Sequence, residues 1–388
     1  MYKIKLLNKI SSVGLDQLEP KKYTYGEDIE NPDAILVRSA DMHSMELPSS
    51  LKAIARAGAG LNNIPIDKCT EAGIVVFNTP GANANAVKEL IVTMLGLSSR
   101  RIIEGIEWVK TLKNADGDIS KLVEKGKSQF VGPEYDGKKF GVIGLGAIGV
   151  NVANAAHHLG MEVYGYDPYI SVDAAWGLSK RVRHVTSLKK IFEECDYITL
   201  HVPSTPETRG MLNADTFSIM KPGMRILNFA RGDLVNTADL KEAIEKKIVA
   251  RYATDFPSKE LLEIENTICV PHLGASTPES ENNCASMAAR QVADYLEYGI
   301  IRNSANIPNV DLPKNFKSRI CVIHRNIPKV INGVTSAVAG ENINIENMIN
   351  RSRGNYAYTI LDVDTKVPDK SIEPLNSLEG VISVRVID

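Results

Sequence analysis

Lys139-Phe140-Gly141-Val142-Ile143-Gly144-Leu145-Gly146-Ala147-Ile148-Gly149 is the stretch that decides the fold of this chain. Residues 140–143 form an apolar run of buried-strand length, three glycines spaced G-x-G-x-x-G follow it directly, and residues 148–159 then repeat at helical spacing. In that order, the first glycine permits a tight turn, the second lets backbone approach a pyrophosphate, and the third lets the helix pack closely. The helix start adds unpaired N–H groups and a partial positive charge. The next strand, 163–166, ends at Asp167, eighteen residues after Gly149. A carboxylate there can accept hydrogen bonds from ribose hydroxyls and repel a 2′-phosphate, so the pattern predicts NAD rather than NADP.

Downstream, apolar runs near 197–201, 225–229, 250–254 and 267–270 alternate with segments able to form helices, which predicts a doubly wound parallel sheet. Upstream, shorter runs at 4–7, 34–37, 53–55 and 74–77 predict a second parallel sheet, followed by a long helical stretch over 85–110. A helix over 278–298, opened by Ser276-Thr277-Pro278-Glu279 and closed by Gly299, would carry the chain back to complete the first domain. The proline- and asparagine-rich stretch after it reads as a linker. Residues 320–323, 343–349, 357–363 and 381–386, with helices at 328–339 and 372–378, give a split βαβ order. The expected domains are 1–95 with 276–302, then 96–275, a linker at 303–317, and 318–388.

The 388 residues are 44% hydrophobic and 24% charged, an ordinary globular composition long enough for two or three domains. Forty-five basic against forty-seven acidic residues leave a net charge of −2, without the basic footprint of a nucleic-acid or anionic-membrane binder. The amino terminus lacks a secretory pattern and no apolar run reaches ~18 residues, so no membrane partner is expected. Cys69, Cys195, Cys269, Cys284 and Cys321 contain no Cys-x-x-Cys pair. They predict reduced, packed thiols in a cytoplasmic protein, with neither a disulfide framework nor a metal cluster.

Three strand ends of the doubly wound sheet carry residues suited to chemistry. Arg231, in Phe229-Ala230-Arg231-Gly232, offers a planar fork for a substrate carboxylate. Asp255 ends the next strand, Glu260 follows it, and His272 stands in Pro271-His272-Leu273-Gly274-Ala275-Ser276-Thr277. Histidine beside a carboxylate suits a proton shuttle.

At these residues the chain resembles the D-isomer-specific 2-hydroxyacid dehydrogenases. The resemblance rests on Arg56-Ala57-Gly58-Ala59-Gly60, residues 73–80, the glycine motif with Asp167, His201-Val202-Pro203 with Thr208, residues 228–232, Asp255 and residues 271–277. It implies an α/β fold: a doubly wound Rossmann-like NAD domain inserted in a flavodoxin-like substrate domain. It also implies hydride transfer between C2 of a D-2-hydroxyacid and NAD, with His272 moving the hydroxyl proton, Glu260 orienting His272 and Arg231 anchoring the carboxylate. Gly144, Gly146, Ala147, Ile148, Gly149, Asp167, His201, Val202, Pro203, Thr208, Phe229, Ala230, Arg231, Asp255, His272, Gly274 and Ala275 would line the cofactor. Arg38, Ser39, Arg56, Gly58 and Asn78 would hold the substrate, with Arg38 and Arg56 the cations for a phosphate, since the 271–277 run matches the branch acting on D-3-phosphoglycerate. Lys127 is expected either to reach a neighbouring subunit's site or, as the preferred reading, to be a solvated lysine.

The chain departs from the family pattern in three places. Asn62-Asn63 replaces Asp-Asn, Asp255-Phe256-Pro257 lacks the usual valine, and only twelve residues separate Glu260 from His272, which leaves Glu263 or Glu265 as alternative partners. The segment from Arg319 resembles an ACT domain of βαββαβ order, where His324, Asn326 and Asn342 match positions that grip an L-serine effector and Lys329 replaces a glycine. By the same analogy the chain would assemble as a homodimer or homotetramer. A dehydrogenase for another small D-2-hydroxyacid, or a non-catalytic NAD-sensing binding protein, are the competing functions.

Overall fold

A computed structural model describes residues 1–368, 370 and 372–388. The chain divides into two compact units, 1–83 with 278–388, and 84–277.

In the first unit, β1 (Tyr2–Leu7), β2 (Tyr23–Gly26), β3 (Ala34–Val37), β4 (Ala53–Arg56) and β5 (Val75–Phe77) form a parallel sheet in the order β2-β1-β3-β4-β5. β3 and β5 are buried throughout, which explains their unbroken apolar runs. The Pro278–Tyr298 helix packs on this sheet through Ala285, Ala288, Ala289 and Val292. Its small residues allow close approach: a Cβ on Gly14 would lie 2.5 Å from Ala285.

In the second unit, β6 (Lys139–Ile143), β7 (Glu162–Tyr166), β8 (Arg183–His184), β9 (Tyr197–Leu200), β10 (Met224–Asn228), β11 (Val249–Thr254) and β12 (Thr267–Cys269) form a seven-stranded parallel sheet. Its order is β12-β11-β10-β9-β6-β7-β8, so the winding reverses between β6 and β9. Ligands of such sheets bind beyond the carboxyl ends at that switch. The glycine turn follows β6 and therefore lies there.

The helical stretch expected over 85–110 is two helices, Ala84–Ser99 and Ile102–Thr111. Arg101, with φ −78° and ψ 54°, leaves the helical region and breaks the run. The first helix belongs to the second unit, so the chain passes between units at Asn83/Ala84 and again at Thr277/Pro278.

A third sheet, antiparallel, belongs to the first unit. It contains β13 (Ser318–Arg325), β14 (Ile345–Arg353), β15 (Tyr356–Val363) and β16 (Val381–Ile387) in the order β14-β15-β13-β16. With helices Val330–Gly340 and Glu373–Asn376 it has βαββαβ order. One face packs on these helices through Ile320, Val322, Leu361 and Val363. The opposite face, with Cys321, Ile323, Tyr358 and Ile360, shares the core of the first sheet and the Pro278–Tyr298 helix.

The 303–317 stretch, expected as a linker, is partly built into this core: Ser304, Asn306, Ile307 and Val310 are buried. Asn306 explains why polarity misled, because its amide donates to Thr70 Oγ1 (3.0 Å) and the Ile74 carbonyl (2.8 Å) and accepts from Val76 N–H (2.9 Å).

Candidate active site

The glycine turn is held by its own geometry. Gly144 adopts φ +93°, and a Cβ there would lie 2.5 Å from the His201 carbonyl oxygen. A Cβ on Gly149 would sit 1.9 Å from the Gly144 oxygen, whereas one on Gly146 would meet nothing within 4 Å. The first and third glycines are thus required by the fold, while Gly146 leaves open space at the start of the Ala147–His158 helix. That is the shape and the partial charge a pyrophosphate needs. Asp167, after β7, accepts from Leu145 N–H and Tyr169 N–H, both at 2.8 Å, which ties the carboxylate to the turn.

Across the switch, His201 follows β9 and its Nε2 lies 3.1 Å from Thr199 Oγ1. Part of the residue meets solvent, but its ring is enclosed, and this desolvation pushes the imidazole down to about 3, so it is neutral. Val202 packs against Gly144. Thr208 donates to the Pro203 carbonyl (2.6 Å) and accepts from Thr205 N–H (2.8 Å), closing the 203–208 loop.

The chemistry-bearing residues lie beyond β10, β11 and β12. After β10, buried Asn228 donates to the Arg231 carbonyl (2.9 Å) and the Tyr252 hydroxyl (3.0 Å), fixing the Phe229-Ala230-Arg231 turn. The Arg231 side chain is exposed, with Nη1 donating to the Ala230 carbonyl at 2.6 Å. After β11, Asp255 is buried; Oδ2 accepts from Gly274 N–H at 3.3 Å, and Oδ1 has no hydrogen-bond partner among the described residues. Burial raises its pKa, and the charges of His272 and Arg231 pull it back. After β12, exposed His272 has its ring 4.9 Å from that of Phe256, and Ala275 follows Gly274 in the same loop.

Glu260 does not meet His272 in this structure. It is exposed on the Lys259–Leu262 helix, where its own backbone amide and the Ser258 hydroxyl lower its pKa. Among the described residues no hydrogen bond or ion pair joins Glu260, Glu263 or Glu265 to His272.

In the first unit the expected substrate residues gather at the carboxyl ends of β3, β4 and β5. Arg56 Nε donates to the Arg38 carbonyl (2.9 Å), and the Arg56 carbonyl accepts from Gly58 N–H (2.9 Å). Asn78 Nδ2 donates to the Ala59 carbonyl at 2.7 Å. Asn63 Nδ2 donates to the Ala40 carbonyl (2.7 Å), a loop-holding role for the Asn62-Asn63 departure. Three participants escaped the sequence reading. Asn8, at φ +83°, accepts from Arg38, Ser39 and Ala40 N–H; Glu281 pairs with Arg38 at 2.7 Å; and Asn83 buries an amide oxygen without a hydrogen-bond partner. Only Asn8 left a signal, an asparagine just after a strand, where left-handed backbone is common.

The expected effector residues lie on β13, just after it, and in the turn before β14. His324 is buried, with Nδ1 at 2.8 Å from the Arg325 carbonyl and Nε2 at 2.9 Å from Thr359 Oγ1, so both nitrogens serve its own sheet. Asn326 donates to the Gly354 carbonyl (3.2 Å), and Asn342 is exposed at φ +57°. Lys329 adopts φ +74°, the conformation that favours the glycine it replaces. Lys127 pairs with Glu124 at the surface at 2.5 Å.

Comparison with known proteins places this geometry. The profile of the D-isomer specific 2-hydroxyacid dehydrogenase NAD binding domain matches residues 92–274. The chain is 31% identical to D-3-phosphoglycerate dehydrogenase of Escherichia coli over 350 residues, covering 87% of this chain and 82% of that protein. It is 38% identical to D-3-phosphoglycerate dehydrogenase of Synechocystis sp. over 287 residues, 72% of this chain but 49% of the relative. The chain thus spans about half the length of several curated relatives it matches. The solved NAD+-bound 3-phosphoglycerate dehydrogenase of Entamoeba histolytica superposes with a TM-score of 0.62 at 26% identity, over 79% of this chain and 98% of that one. With a turn built for a pyrophosphate and arginine, aspartate and histidine at successive strand ends, the chain belongs to the D-isomer-specific 2-hydroxyacid dehydrogenase family, and residues 92–274 are its NAD-binding domain.

Proposed function

We propose that this chain oxidises D-3-phosphoglycerate to 3-phosphohydroxypyruvate with NAD, the first step of L-serine formation. One observation carries the reading: Arg231, Asp255 and His272 stand at three consecutive strand ends of the sheet that holds the glycine turn. The residues fit the cofactor, since Gly146 leaves room for a pyrophosphate and Asp255 Oδ1 is a buried acceptor without a donor, suited to a carboxamide N–H. The Gly144–Gly149 turn and Asp167 would hold NAD, which when bound would supply the acceptor for the hydride leaving C2. Arg231 holds the substrate carboxylate through two parallel hydrogen bonds, and His272 takes the hydroxyl proton as the alcohol becomes a ketone. Glu260 is the proposed carboxylate that orients His272, and buried Asp255 interacts electrostatically with the same ring. Arg38 and Arg56 are the candidate cations for the phosphate. The test is a screen of NAD reduction with D-3-phosphoglycerate, D-glycerate and other D-2-hydroxyacids. Activity confined to unphosphorylated acids would replace this substrate, and activity with none would leave a binding protein.

NAD preference rests on Asp167. Asp167→Ala should weaken NAD about tenfold and narrow the gap to NADP, because one charge-assisted hydrogen-bonding group is lost together with the repulsion of the 2′-phosphate. Equal kcat/KM for both cofactors in the unaltered enzyme would refute the assignment.

We assign the βαββαβ unit to the ACT class, with L-serine as effector and Asn326 and Asn342 as its amide contacts. The engaged nitrogens of His324 mean that serine binding must break the Thr359 contact or leave His324 aside. Calorimetry with L-serine should show binding to the intact chain that Asn342→Ala weakens at least tenfold; absent binding leaves the unit an assembly element. The exposed apolar row Ile102, Ile103, Ile106 and Val109 supports a homodimer or homotetramer.

A further inference from the structure

We propose that Glu281 is a specificity-determining residue that lowers the hold of this site on a doubly charged phosphate. The inference rests on the reading above, in which Arg38 is a cation for the substrate's phosphate.

The loop after β3 is shaped for an anion but already filled. Arg38, Ser39 and Ala40 N–H point at one oxygen, Asn8 Oδ1, at 3.4, 3.0 and 2.8 Å. Successive amides converging in this way make an anion cradle. Here a neutral amide oxygen from the same chain satisfies them, so they add little to phosphate binding. The Arg38 guanidinium is then the main positive charge on this loop, and its Nη1 lies 2.7 Å from Glu281 Oε1.

Glu281 lies in the acidic first turn of the Pro278–Tyr298 helix, where the helix dipole favours a carboxylate. A phosphate dianion reaching Arg38 meets this carboxylate within a few ångströms. Because the two side chains are 39% and 44% exposed, separating them costs little, so phosphate binding is weakened rather than abolished. A substrate ending in a neutral hydroxyl meets no such repulsion and can donate a hydrogen bond to the carboxylate.

The test compares Glu281→Gln with the unaltered enzyme, using D-3-phosphoglycerate, D-glycerate and inorganic phosphate. The isosteric exchange should raise kcat/KM for D-3-phosphoglycerate roughly tenfold, the effect of removing one like charge at short range in a partly solvated site. D-Glycerate should change less than about threefold, and Glu279→Gln, on the same turn, should alter neither substrate. An equal change for both substrates, or a fall with D-3-phosphoglycerate, would show that Glu281 serves only to orient Arg38 and would overturn the proposal. If neither form oxidises D-3-phosphoglycerate, the functional reading fails by itself. Calorimetry with inorganic phosphate then decides on Glu281: tighter binding in the variant supports the proposal, and unchanged binding refutes it.

Discussion

His272→Ala lowers turnover by ~100-fold or more while leaving NAD binding within about twofold, the expected result for loss of a general acid–base. The separation follows from where the residues sit. The pyrophosphate turn and Asp167 belong to β6 and β7, whereas His272 is exposed on the loop after β12 and has no hydrogen bond among the described residues. Removing its ring frees one face of Phe256 but opens no buried cavity, so the fold is unaffected. Stopped-flow reduction of NAD and fluorescence titration of NADH measure the two quantities independently. A variant with near-normal turnover moves the proton shuttle elsewhere; one that loses cofactor binding in step with turnover makes His272 a structural part of the nucleotide site. Asp255→Asn should fall between these cases. It keeps the shape beside Gly274 but removes the negative charge of the buried carboxylate.

The second unit was legible because its signals are local. A buried strand, three glycines and a strand-end carboxylate lie within 29 residues, and each is required by contacts a few residues away, such as the Gly149 approach to the Gly144 oxygen. Arg231, Asp255 and His272 were readable for the same reason, each standing just beyond a run of strand length. Edge strands were harder. Tyr23–Gly26 has a mixed burial pattern and Arg183–His184 is exposed, so neither gives an apolar run. The break between Ala84–Ser99 and Ile102–Thr111 preserves helical periodicity on both sides and is invisible to it. What the sequence could not reveal is pairing across distance. Glu281 reaches Arg38 from 243 residues away, Asn306 hides its polarity by bonding to Thr70, Ile74 and Val76, and His324 turns its ring toward Thr359. Glu260 has a spacing from Asp255 that matches the family, and it stands exposed on its helix.

Arg319→Ala should be the most destabilising single exchange in the first unit, lowering its thermal midpoint on the order of 10 °C, from ~3–5 kcal/mol. Arg319 is fully buried, and all its bonds run to groups that would be stranded without it. Nε and Nη2 donate to the buried carboxylate of Asp362 at 2.6 and 3.0 Å, Nη1 to the Tyr298 carbonyl at 2.6 Å, and Nη2 to the Pro313 carbonyl at 2.7 Å. Its guanidinium also lies 4.1 Å over the Phe316 ring. One side chain thus joins β13 and β15 to the end of the Pro278–Tyr298 helix and to the 303–317 stretch. The Tyr358 hydroxyl, 2.8 Å from the Gly299 carbonyl, and Arg385, 2.7 Å from the Tyr295 carbonyl, repeat the attachment. Such bonding makes the third sheet part of the unit's core rather than a tethered module, so the unit should melt in one transition that the exchange shifts as a whole. The cost should come from the stranded Asp362 charge rather than from the lost pair itself. Arg319→Met combined with Asp362→Leu should therefore recover more than half of the loss, because apolar residues of similar volume often replace a buried pair at little cost. Calorimetry on the three variants checks both statements. A midpoint within 2 °C of the unaltered protein for Arg319→Ala, or a separate early transition for the third sheet, would show that the sheet is not anchored through this residue.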